Sequence, residues 1–146
     1  MTIKQALKYK NKLAKKINEA FVKVAVYNSI EEGQTRPYDV EDSLDEYFKL
    51  TRELVELKTK IHTANLPVYG KIFEMSELKS QVSKLKDLDC SEGKVRDRYH
   101  RLTDDASVNK TTVISIIERD SMITKLEELI EKLQDELDVH NAKTHI

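Results

Sequence analysis

MITKLEELIEKLQDELDVHN, residues 122–141, decides the class of fold. Met122, Ile123, Leu126, Leu129, Ile130, Leu133, Leu137 and His140 recur at spacings that keep returning to one side of an α-helix. Glu128 stands four residues before Lys132, the orientation that supports an exposed helix. A heptad-like stripe of this length predicts a helix that packs along another helix.

The rest of the chain supports that reading. Its only glycines and prolines are Gly33, Pro37, Pro67, Gly70 and Gly93, and they leave long uninterrupted segments between them. In the first segment Ile3, Ala6, Leu7, Leu13, Ala14, Ile17, Ala20, Phe21 and Val24 fall on a, d and e positions of a heptad. Thr2 and Gln5 fit a capping box at its start. Past Val22, "VKVAVYNSI" alternates and predicts a change to extended chain. Asp39 is a suitable N-cap for a second helix, with Glu41 and Asp42 placed well against its first-turn dipole. Leu44, Tyr47, Phe48, Leu54, Val55 and Ile61 form its stripe, and Leu50 and Leu57 widen it enough to touch two neighbours.

Residues 62–78, HTANLPVYGKIFEMSEL, gather a His, an Asn, a Tyr and two acids, and read as punctuation. Asn65 ends a helix and Pro67 biases Leu66 away from helical backbone. Gly70 suits a tight turn, "LPV" and "KIF" can pair as a short hairpin, and Ser76 caps a third helix. That helix carries Leu78, Val82, Leu85 and Leu88 and stops at "DLDCSEG". Between residues 94 and 117 "DDASVNK" reads as a turn and "TTVISII" as a strand, which predicts a second short hairpin. The expectation is one mainly α domain over residues 1–146: an elongated bundle of about four helices with coiled-coil-like packing and one or two short β-hairpins.

Composition narrows function more than it defines it. Charged residues are 35% of the 146, Trp is absent, and the net charge of −1 gives no overall pull toward nucleic acid or acidic lipid. Cys90 has no partner for a disulfide, no apolar run reaches the ~20 residues of a membrane span, and the N-terminal stretch is too charged for a secretory leader. The expected setting is cytoplasmic and without a membrane.

Signatures of chemistry are sparse. GxSxG, Walker A and GxGxxG patterns do not occur. His62, His100, His140 and His145 lack the spacing of a zinc site, so no metal and no cofactor is expected, and no catalytic residue stands out. An enzyme would need His62, Tyr69, Tyr99 and His100 to converge in a concave pocket. Residues 1–30 hold seven Lys and one Glu, and Lys4, Lys8, Lys12, Lys15 and Lys16 lie largely opposite the Ile3–Leu7–Ile17 stripe. That face suits nucleic acid, a membrane surface, or a solvated side next to an acidic helix, in this chain or in a partner.

"KIHTAN" at 60–65, "VYGKIFEMSEL" at 68–78, "RDRY" at 96–99 and "LDVHNAKTHI" at 137–146 together resemble a family of small, mainly helical bacterial proteins, some labelled septicolysin. The resemblance is strongest from residue 54 onward and implies an orphan helical protein with no catalytic residues to carry over. The label would imply a cytolysin, yet no amphipathic insertion segment of any length is present.

The reading that needs no missing feature is assembly through helix surfaces as a homo-oligomer. Leu7, Leu13, Ile17, Phe21, Leu126, Leu133 and Leu137 are its candidate interface, with the first and last helices paired. Lys10 and Lys58, at a-like positions, would lower stability and help choose partners.

Overall fold

The computed structural model describes residues 1–96 and 107–146. It is mainly helical, with one two-stranded antiparallel sheet. The elements are α1 (Ile3–Tyr27), α2 (Val40–Asn65), a 3-10 turn (Leu66–Val68), α3 (Tyr69–Lys86), β1 (Gly93–Arg96), β2 (Ser107–Lys110) and α4 (Ile116–Lys143). They group into two compact units, residues 1–69 with 138–146, and residues 70–137.

In the first unit the capping box at Thr2 and Gln5 closes reciprocally, at 3.2 and 2.9 Å. The helix it starts does not stop at Val22, as the alternating pattern suggested, but continues to Tyr27. There Arg36 folds back, its Nε and Nη2 donating to the carbonyls of Tyr27 and Asn28 at 2.7 and 3.0 Å. Those carbonyls would otherwise lack partners at the helix end. Gly33 turns the connection with φ +87°, a backbone region that side chains disfavour. Asp39 then caps α2 by accepting from the Asp42 N–H at 3.0 Å.

α1 and α2 pack side by side in opposite directions. Ala6, Leu13, Leu57 and Ile61 form the buried core, flanked by Leu7, Tyr9, Ile17, Leu50, Leu54 and Ile146. Of these helical residues all but Leu7 and Tyr9, which stand at e and g, lie on an a or d position when a is set at Ile3 in α1 and at Tyr47 in α2. Within this unit the helix that lies along α1 is α2; the terminal helix, the partner expected from the sequence, contributes only its last residues to the unit. Lys10 is half-buried at its a position, whereas Lys58 falls at e in this frame, not at the a-like position expected, and is exposed.

The chain ends close on this hairpin. Thr2 and His145 form an antiparallel bridge, the Ile3 N–H donates to the Thr144 carbonyl at 2.9 Å, and the Ile146 N–H donates to Met1 at 2.9 Å. His140 adds a hydrogen bond from Nε2 to the Ala64 carbonyl at 3.2 Å. A carbonyl only accepts, so Nε2 carries a proton.

The stretch expected to hold a hairpin after Asn65 is helical instead. Leu66 keeps helical angles and its N–H reaches the Thr63 carbonyl, three residues back. This tighter turn sits where Pro67 cannot supply an N–H, and proline is tolerated in the first turn of a helix. α3 therefore begins at Tyr69 and not at Ser76, and Gly70 is a helical residue. Tyr69 reaches back across the turn, its Oη 2.6 Å from His62 Nδ1.

In the second unit α3 and α4 run in opposite directions. Lys71 pairs with Glu136 at 2.6 Å, Lys86 with Glu127 at 3.3 Å, and Arg119 donates to the Leu88 carbonyl at 3.3 Å. Leu78, Val82 and Ile123 are buried, with Met75, Leu85, Leu126 and Ile130 half-buried at the same spacing. Ser115 and Glu118 cap α4 reciprocally, at 3.1 and 3.3 Å.

In sequence between these helices β1 and β2 pair antiparallel, with Val95 opposite Val108. Its second strand is Ser107–Lys110, inside the stretch that reads as a turn, while "TTVISII" is irregular chain running into α4. Asp89 clamps the hairpin base. It accepts from the Ser91 hydroxyl and from the Ser91 N–H at 2.9 Å, and faces Lys110 Nζ at 3.3 Å. The two Ser91 bonds, then the lysine, hold its carboxyl down at about 2.

Candidate interaction surface

Two antiparallel helices that share an a/d core have two flanks, one where e positions meet and one where g positions meet. In the α1–α2 hairpin the g flank is closed by a polar contact: the Tyr9 hydroxyl donates to Glu53 at 2.5 Å. This bond, above all, raises the tyrosine's ionisation range, because the phenolate would face the carboxylate.

The e flank has the opposite character. α1 presents Leu7, Ala14 and Phe21 at seven-residue intervals, and α2 presents Leu44, Phe48, Thr51 and Val55 at alternating four- and three-residue steps. Such a stripe beside a filled a/d core marks a helix built to touch a further neighbour. At the Leu7 end that neighbour is present: Leu7, Lys4 and Lys8 share a cleft of about 430 Å³ with Asp138 and Asn141 of α4. Farther along, the stripe is open. Phe21 is 46% exposed, Phe48 56% and Val55 59%, and Ala14 is exposed too. Rings step outward from the seam, with Phe21 and Tyr47 centroids 5.1 Å apart and Tyr47 and Phe48 5.5 Å apart. Asp45, Lys49, Thr51 and Arg52 complete, with Phe48 and Val55, a shallow depression of about 600 Å³. Two apolar side chains and four polar or charged ones line it.

Of the interface residues expected from the sequence, Leu13 is buried inside the hairpin, Leu7 and Ile17 are half-buried, and Phe21 lies on the open flank. Leu126 and Leu133 are half-buried and Leu137 buried along α4. Phe48 and Val55 are the important additions; their signal is the seven-residue spacing off the a/d frame. Lys4, Lys8, Lys12, Lys15 and Lys16 are all exposed, and Lys15 faces Glu19 at 3.8 Å. His62 and Tyr69 do meet, with ring centroids 5.0 Å apart and a hydrogen bond between Tyr69 Oη and His62 Nδ1. Tyr99 and His100 lie outside the described residues.

Among the described residues no group of three metal-binding side chains converges, and no helix is long and apolar enough to cross a membrane. No family model, curated protein or solved structure matches the chain.

Proposed function

We propose that this protein acts by helix-mediated assembly, with the e flank of the α1–α2 hairpin as its docking surface. The observation that carries the reading is the open apolar stripe of Phe21, Phe48 and Val55 beside a core already filled by a/d residues. Beyond the ring contacts at Tyr47, about half of each of these side chains is left uncovered by the hairpin, and a contiguous apolar patch marks a contact site. Two hairpins joined through this flank would form a four-helix arrangement contributed by two copies, distinct from the single-chain bundle expected from the sequence.

The test is sedimentation-equilibrium mass across a hundredfold range of protein concentration, at low and high salt. A concentration-dependent oligomer at both salts is expected. A monomer throughout would remove the reading. It would then leave the five lysines on α1 as the surface to probe with nucleic acid, where affinity must fall steeply with salt.

A further inference from the structure

We infer that the occupant of the open flank is a second copy of the same flank, packed with the two hairpins pointing in opposite directions. This rests on the assembly reading above and adds the partner and its orientation to it.

Three observations lead there. Charge is divided lengthwise along the hairpin: residues 3–18 and 51–65, at the end where the chain termini meet, carry nine basic and two acidic side chains. Residues 19–50, at the end with the connecting loop, carry three basic and eight acidic. Two copies pointing the same way would lay basic on basic and acidic on acidic. Two copies pointing oppositely lay each basic end on an acidic one, and electrostatic complementarity of this kind fixes register.

Side-chain size is self-complementary about the same centre. A two-fold axis at right angles to the helices, passing near Asn18 of α1 and Thr51 of α2, sets Phe21 against Ala14 of the other copy. It sets Phe48 against Val55 in the same way. Large residues then meet smaller ones in both halves of an isologous contact. The open stretch also has enough area. From Asn11 to Tyr27 α1 runs ~25 Å, and two helices side by side are ~20 Å wide, which gives about 1,000 Å² in total and just reaches the size of a specific interface.

The experiment places single spin labels on the full chain with Cys90→Ser, one variant carrying Asn18→Cys and another Lys4→Cys, and measures the distance between copies. Opposed hairpins give a short distance for position 18 and about 40 Å for position 4, twice the ~21 Å that separates those residues along the helix. Similar short distances at both positions would mean hairpins pointing the same way and would overturn the orientation while leaving a dimer. A dimer with long distances at both positions would show that another surface is used, and would overturn the flank as the contact. Loss of the dimer in unlabelled protein is a separate result, read from mass alone, and would strike the assembly reading itself.

Discussion

Replacing Phe48 by Ala separates assembly from folding. Phe48 is 56% exposed, packs on the Tyr47 ring and is not among the residues of the buried core cluster. An aromatic side chain offers ~200 Å², so about 110 Å² is free to be covered by a partner, and twice that in a symmetric pair. At ~25 cal/mol per Å², and allowing that Ala keeps about a third of the contact, the loss is ~3 to 4 kcal/mol per dimer. That corresponds to at least a hundredfold weaker dissociation constant. The monomer should not suffer, since Ala is the better helix former. The assay is sedimentation velocity across concentration, paired with far-ultraviolet circular dichroism melts at a dilution where wild type is monomeric. A dissociation constant within threefold of wild type would refute the placement of Phe48 at the contact. Equal loss of monomer stability would refute its exclusion from the core.

Other substitutions probe the supporting structure. Leu13→Ala empties a fully buried site between α1 and α2 and should cost ~3 kcal/mol or more in urea unfolding, the reverse profile to Phe48→Ala. Arg36→Ala removes both donors from the carbonyl end of α1 and should cost about 1 kcal/mol, with faster amide exchange confined to the last turn of that helix. Asp89 ionises well below its ordinary 3.8, at about 2, so its clamp on the hairpin is complete above 3.8 and is lost as pH falls through about 2. Nuclear magnetic resonance of Val95 and Val108 over that range should follow the loss, and Asp89→Asn should abolish the dependence. Lys71→Met should change stability by less than ~1 kcal/mol, because the Lys71–Glu136 pair is well exposed; a larger loss would show that the pair is coupled to packing.

The inner stripes of all four helices are legible in the sequence because burial imposes a period, and the caps at Thr2 and Asp39 because few side chains satisfy a helix start. Three features are not legible for physical reasons. Val22 to Tyr27 reads as extended because the alternation is local, while the partner that holds it helical, α2 with its Tyr47, Tyr38 and the folded-back Arg36, lies far along the chain. Pro67 reads as a stop because proline usually ends a helix, yet one tighter turn absorbs the missing donor. Pairing of α1 with α2 depends on a short connection turned at Gly33, whereas heptads alone fit α2 or α4 as a partner. The open flank was half visible: Phe48 and Val55 stood in the stripe, but only the structure shows that α1 leaves them uncovered.

The bond from the Ile3 N–H to the Thr144 carbonyl joins the first helical residue to almost the last of the chain. During synthesis the core of Ala6, Leu13, Leu57 and Ile61 can close once α2 has emerged, but the first turn of α1 must wait for Thr144. At the ~5–20 residues per second of translation, residues 66–144 take about 4–16 s. Over that interval the nascent hairpin carries its apolar flank with Leu7 still bare, so more of the flank is open during synthesis than in the finished fold.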